Sequence, residues 1–386
     1  MKRSTGRILT THTGSLPRPA GLDELIFDHE EGKRVDPEIF DARVRDAVLD
    51  SVRRQVEAGV DLVNDGEVGK VGYSTYVKDR LTGFEGEATP LTNREMVEFP
   101  EVTRRIIETP AFEHMKLPAC NGPVALRDAD AVTKDIANLQ AALQGTGATE
   151  GFLSAASPGV ISTFLPNSYY PTQEAYLYAV ADAMKPEYDA IARAGLVLQV
   201  DCPDVAMTRM MGGNTDLTDE QFRDQIRLHV RVLNHAVRDI DPEQMRLHLC
   251  WGNAALPHIY DIPLRDIVDI VLEARPAGIS FEASNPRHEH EWQVWEQVRL
   301  PDGKVLIPGV IDSTTNFVEH PDLVAQRLVR FADAVGKGNV IAGTDCGFGT
   351  FAGMYPVDPK VTWLKLQAMA EGARRASGQL WSKAAV

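Results

Sequence analysis

The sequence predicts an α/β fold, a closed (β/α)8 TIM barrel with an insertion after the second strand, and three observations carry that prediction. Eight apolar runs of strand length recur along the 386 residues. Most are followed by stretches whose apolar positions repeat with helical period, as at Val44, Ala47, Val48, Val52 and Val56. Six of the runs end on acids, imidazole or thiols, and polar groups at strand ends far apart in sequence need a shared site. Such a barrel provides one, because all C-terminal strand ends meet at its mouth. The same alternation also permits an open doubly wound sheet.

Taken in order, strand one is read at residues 8–13 and runs into His12, Thr13, Gly14 and Ser15. A helix over 40–58 leads to strand two at 61–65, which ends Asp65-Gly66-Glu67. Residues 73–149 are too long for one crossover and are read as an insertion near the barrel mouth. It has a charged, turn-rich stretch at 83–101 and a hairpin near 102–120. Strand three follows at 151–156 and strand four at 197–201, the latter ending Asp201-Cys202-Pro203-Asp204. Strands five to eight fall at 246–250, 278–283, 305–311 and 339–344, with helices at 175–194, 220–237, 264–274, 321–335 and 360–376. With neither repeat nor linker, residues 1–386 read as one domain.

Composition narrows the class. With 40 Lys+Arg against 55 Asp+Glu the net charge is −15, unsuited to nucleic acid or an anionic membrane surface. A hydrophobic content of 44% and a charged content of 25% are those of a soluble globular protein. No apolar run reaches the roughly 18–20 residues that span a bilayer. The N-terminus has no continuous apolar stretch, so no secretory leader is expected. Four cysteines do not make a disulfide scaffold, and the expected compartment is the reducing cytoplasm.

His248 and Cys250 lie two apart on strand five and so share a face. They read as half of a zinc site, or as a core histidine beside a small buried thiol. Glu282 and Cys346, at other strand ends, could complete a tetrahedron.

The segments LHLCWGN (247–253), FEAS (281–284), GTDCGFGT (343–350), THTGSLPRP (11–19), DLVNDGE (61–67) and LQVDCPD (198–204) together resemble the cobalamin-independent methionine synthase family. The likeness runs in order from residue 11 to about 350 and corresponds to the family's C-terminal catalytic half standing alone. It implies a (β/α)8 barrel and methyl transfer from methyltetrahydropteroyltriglutamate to homocysteine in methionine biosynthesis. It also implies Zn2+ held by His248, Cys250, Glu282 and Cys346. Glu67 and Asp201 would receive the ammonium of the thiol substrate, and the backbone around Gly14 and Ser15 its carboxylate. For Glu67 and Asp201 the plain alternative is a salt-bridged strand-end acid.

Three departures bear on the donor. Cys202 stands where the family's motif has Glu. Thr314 falls where the family carries a histidine acid for the folate leaving group, and His320 follows six residues later. The segment 157–166 lacks the tryptophan that would stack on a pterin, leaving Phe164. LHLCWGN, GVIDS and VEHP resemble the short-chain branch that includes epoxyalkane:coenzyme M transferases, in which a zinc thiolate opens an epoxide. That chemistry needs a proton donor, for which His12, Tyr73 and His258 are candidates. A coenzyme M sulfonate would need a cation such as Arg18, Lys70 or Arg209. The partners expected are therefore a small thiol and an alkyl donor, whether methyl-folate, methyl-corrinoid or epoxide. A zinc-binding thiol sensor or a methyl-carrier partner without turnover is the reading from another class.

Residues 287–292 (RHEHEW) read as a solvated helix start or mouth rim. Gly347, Gly349 and Gly353 read as a phosphate or polyglutamate cradle or as a mouth loop. Asp345 is either support for the cysteine ligand beside it or a helix cap. Cys120 has no evident partner.

Overall fold

In the computed structural model, which describes residues 1–87, 91 and 93–382, the strands pair in the order of the chain. They are β1 (Leu9–Thr10), β2 (Leu62–Val63), β3 (Glu150–Ala156), β4 (Val197–Asp201), β5 (Met245–Leu249), β6 (Gly278–Phe281), β7 (Val305–Pro308) and β8 (Ile341–Ala342). Parallel ladders join β2 through β7 in sequence and β8 to β1. The Leu306–Val340 and Gly309–Gly343 bridges and the Asp61 N–H to Thr10 carbonyl bond (3.1 Å) close the circle. The open-sheet alternative is thereby excluded, and each predicted strand overlaps an observed one.

Side chains alternate between the barrel interior and the helical layer, so each strand delivers every second residue inward. The bottom of the interior is apolar, where Leu9, Leu62, Val305, Ile307 and Ile341 cluster. Above them lies a polar layer. Arg246, fully buried, donates to Gln199 Oε1 (2.7 Å), Thr11 Oγ1 (2.9 Å) and the His12 carbonyl (2.9 Å). Gly278 leaves room for it, since a Cβ there would stand 2.6 Å from Arg246 Cβ. The next inward position along β5 is His248, and the one after that is Cys250.

Helices Pro37–Glu57, Asp130–Leu143, Gln173–Arg193, Asp219–Ala236, Pro321–Val335 and Pro359–Ser382 form the outer ring. Asp130–Leu143 packs against Pro37–Glu57 and Gln173–Arg193, so it is the crossover helix between β2 and β3. The extra segment is thus shorter than expected, ending before residue 130. Residues 88–90 and 92, within the stretch read as turn-rich, lie outside the described residues. The expected hairpin near 102–120 is not formed. Pro100 and Pro110 instead open short helices, Pro100–Ile107 and Pro110–His114. Proline suits the first helical turn, where no N–H partner is needed.

A metal-ligand cluster at the floor of an apolar cavity

His248, Cys250 and Cys346 bring their ligand atoms within 4.8 Å of one another, and all three residues are buried. Cys346 Sγ lies 3.8 Å from His248 Nε2 and 3.6 Å from Glu282 Oε1. Donors about 2.0–2.3 Å from a tetrahedral zinc sit roughly 3.3–3.8 Å apart, so the spacing suits an ion of that size. Ser280 bonds His248 Nδ1 (3.1 Å), which leaves Nε2 facing the thiols. Burial, with the charge of Arg246, lowers the His248 pKa to about 3, keeping the ring neutral. Burial and the neighbouring Cys250 thiol hold the Cys346 thiol well above its ordinary range.

Glu282, the fourth expected ligand, lies beside this group but is not one of its three members. Glu282 Oε1 accepts from the Trp251 amide (2.8 Å) and Oε2 from Asn285 Nδ2 (2.6 Å). Asp345 is no helix cap. Its carboxylate accepts from the amides of Ala283 (2.8 Å), Ser284 (2.9 Å) and Asn285 (2.9 Å), fixing the loop that carries Glu282.

The cluster forms part of the lining of a cavity of about 480 Å³, along with Thr13, Ser15, Glu67, Tyr73, Asp201 and His258. Glu67 and His258 are the non-glycine residues with positive φ among those described (54° and 55°), and both face this cavity. Such backbone strain gathers at functional positions. Glu67 Oε2 is buried without a hydrogen-bond partner. Asp201 accepts from Gln199 Nε2 (2.7 Å), while burial and the charge of Glu67 push its carboxyl well above the usual range. Neither acid has a salt-bridge partner among the described residues, so the plain ion-pair reading does not hold for them.

His258 belongs to a relay. It donates from Nε2 to the Ala254 carbonyl (2.9 Å) and from Nδ1 to Asp261 Oδ2 (2.9 Å). The same oxygen receives Nε2 of His288 (2.9 Å), whose Nδ1 bonds Glu291 (2.8 Å). Burial works against charging His258, but the Asp261 hydrogen bond and charge prevail and raise its pKa to about 9. His258, Asp261 and His288 also lie close enough to hold an ion. Every ring nitrogen already has a partner, however, so the group is a hydrogen-bond chain. The expectation of a solvated stretch at 287–292 is corrected here: His288 and Glu291 are buried, and Trp251 stacks on His288 (4.0 Å between centroids).

Other expected residues fall outside the cavity lining. His12 is not in the lining; it bonds Gln55 of the Pro37–Glu57 helix (2.8 Å), and burial lowers its pKa to about 3, so it is not placed to give a proton to a ligand. Cys202 bonds the Val200 carbonyl (3.5 Å) and Cys120 the Gly122 carbonyl (3.4 Å), both apart from the metal group. Thr314 donates its hydroxyl to Asp312 Oδ1 (2.8 Å), and His320 caps the Pro321–Val335 helix. Arg18 is spent on the carbonyls of Gly349 (3.0 Å) and Lys70 (2.7 Å), Lys70 on Ser154 (2.6 Å) and Arg209 on Asn214 (2.6 Å). None of these three cations lines the cavity. The glycine loop is packing rather than cradle: a Cβ at Gly347 would overlap Ser15 Oγ, and one at Gly349 would stand 2.6 Å from the Leu16 carbonyl.

Sequence reasoning missed the upper wall. The insertion supplies Met96, Ile106, Phe112 and Met115, and the segment after β4 supplies Met207, Met210 and Met211. Phe164 is there too, edge-on to Tyr73 (5.9 Å). The insertion is strapped down by Glu95, fully buried, which accepts from the amides of His258 (2.9 Å) and Ile259 (2.6 Å). The dense methionines of 207–211 (MTRMM) were the available signal.

No protein-family model matches the chain. It is 24% identical over 345 residues to a methionine synthase of Sulfolobus acidocaldarius, covering 88% of this chain and 85% of the relative. A methionine synthase of Saccharolobus islandicus is 24% identical over 369 residues, 95% of this chain and 93% of the relative. Among solved structures, a B12-independent methionine synthase from Shewanella sp. W3-18-1, in complex with selenomethionine, superposes with a TM-score of 0.75 at 20% identity. The match covers 97% of this chain and 99% of that one. The resemblance read from the motifs is borne out, and the fold is that of the B12-independent methionine synthases.

Proposed function

We propose that this protein transfers a methyl or other alkyl group to the sulfur of a homocysteine-like thiol. One observation carries the reading: His248, Cys250 and Cys346 meet at the floor of a cavity that also presents two buried, unpaired carboxylates. Two thiols, a neutral imidazole and a nearby carboxylate form a donor set that favours zinc over hard, oxygen-seeking cations. His248, Cys250 and Cys346 would hold it, with Glu282 as the exchangeable fourth ligand. A bound Zn2+ keeps a substrate thiol deprotonated at neutral pH.

The chain's own residues then orient the thiol. Glu67, with its free oxygen, and Asp201 receive an ammonium group, and Ser15 faces the same space for the carboxylate. Glu282 would be the ligand that a substrate sulfur replaces, because its carboxylate has the Trp251 and Asn285 bonds to hold it when it is not on the ion. As the sulfur–carbon bond forms, the bond from that carbon to the donor breaks, and the departing group takes the electron pair and a proton. His258 faces the cavity charged, but both of its N–H groups are committed to Ala254 and Asp261, so the proton comes from Tyr73 at the same wall. The phenol of Tyr73 is kept protonated by burial and the nearby Cys250.

By their name the curated relatives make methionine, and we infer small-molecule substrates of the same kind here. The coenzyme M alternative loses support because no Arg or Lys lines the cavity to meet a sulfonate, among the described residues. Among the described residues no helix is long and apolar enough to cross a membrane.

The test is thioether formation from homocysteine with methyl-folate, methyl-corrinoid or epoxide donors. We expect product from at least one donor, abolished by a chelator and restored by zinc. Tight thiol binding without product from any donor would favour a thiol sensor instead.

A further inference from the structure

We infer that the donor side of this cavity takes an uncharged, apolar alkyl donor and admits alkyl groups larger than methyl; this rests on the reading that the floor holds a thiol. The wall above the floor is apolar on both flanks. Leu91, Ile106, Phe112 and Leu117 face it from the inserted segment, and Phe164, Leu256 and Phe351 from barrel loops. Six of the ten methionines in the chain line it, namely Met96, Met115, Met207, Met210, Met211 and Met354. Methionine is unbranched and polarizable, so a wall made of it reshapes around ligands of differing outline.

Charge points the same way. No Lys or Arg lines the cavity among the described residues. The undescribed residues of the inserted segment, 88–90 and 92, are Ala, Thr, Pro and Thr and carry no charge. Among the described residues the sole cation facing the space is the His258 imidazolium, whose two N–H groups are committed to Ala254 and Asp261. A donor with a run of carboxylates, such as a polyglutamyl folate, would leave them without counter-charge. Burying unpaired charge is costly, whereas burying alkyl surface is favourable. The volume, about 480 Å³, exceeds what an amino-acid thiol and one methyl group fill.

Calorimetric titration of the zinc-loaded full chain with S-alkyl homocysteines tests the inference. The series runs from methionine through the S-ethyl, S-propyl and S-butyl compounds. Affinity should rise about three- to fourfold per added methylene. In a parallel titration, the mono- and triglutamate forms of methyltetrahydrofolate should differ by less than about threefold. If methionine binds but affinity is flat or falls with chain length, or if the triglutamate gains tenfold or more, the inference is overturned while the thiol reading stands. If neither methionine nor homocysteine binds, the thiol reading itself fails, and this inference with it.

Discussion

The floor and the throat of the cavity are built in opposite ways. At the floor, strand ends from around the barrel contribute polar side chains, some locked by bonds to strand residues: His248 to Ser280 of β6, Asp201 to Gln199 of its own strand. In the throat, an inserted segment and two loops contribute long apolar side chains that make dispersion contacts and few bonds. Rigid polar groups at the floor specify a chemistry. An adaptable apolar throat specifies only that its ligand be greasy and uncharged. The two meet at His258, which is part of the wall but is tied through Asp261 to buried His288.

Disturbing the floor should have the largest effect. Cys250→Ser or Cys346→Ser should lose the metal, measured by plasma emission, and lower activity by roughly a thousandfold or more. Full occupancy in both variants would remove the assigned ligand set. Asp201→Asn should raise the KM for the thiol about 10- to 100-fold with a smaller change in kcat, because it removes the acid that would pair with the ligand's ammonium. Unchanged kinetics would make that carboxylate structural.

The throat should respond differently. Glu95→Ala removes the acceptor for the His258 and Ile259 amides. Hydrogen exchange at those amides should rise by about tenfold, and donor affinity should fall, with metal content unchanged. Metal loss in this variant would mean that the two regions are not separable. The smallest expected effect lies outside both regions, at His12 against the Pro37–Glu57 helix. Buried His12 has its pKa lowered to about 3 against an ordinary 6.5, so the unfolded chain binds the extra proton between those values. Its contribution is therefore full above pH 6.5 and is lost as pH falls toward 3. In His12→Asn the slope of unfolding free energy against pH across that window should drop by about one proton; an unchanged slope would contradict the assignment.

Much of the floor was readable in advance because strand period and barrel closure place residues by arithmetic. Positions 246, 248 and 250 must share a face, and strand ends must converge on the mouth. The throat was not, because its residues come from loops and from short helices opened by Pro100 and Pro110, too brief for their apolar positions to announce a common target. The stretch holding His288 and Glu291 was misread for a related reason. Its charged residues look solvated until the fold brings Asp261 within 2.9 Å of His288. His12 looked like a mouth residue from its motif, but strand geometry points it at Gln55 instead.

The central claim is that His248, Cys250 and Cys346 hold a metal that binds the substrate thiol. Zinc-edge X-ray absorption of the zinc-loaded protein tests it most directly. The account predicts two sulfur neighbours at about 2.3 Å with nitrogen and oxygen at about 2.0–2.2 Å, and a third sulfur replacing oxygen when homocysteine is added. A shell without sulfur, or one that homocysteine leaves unchanged, would contradict it.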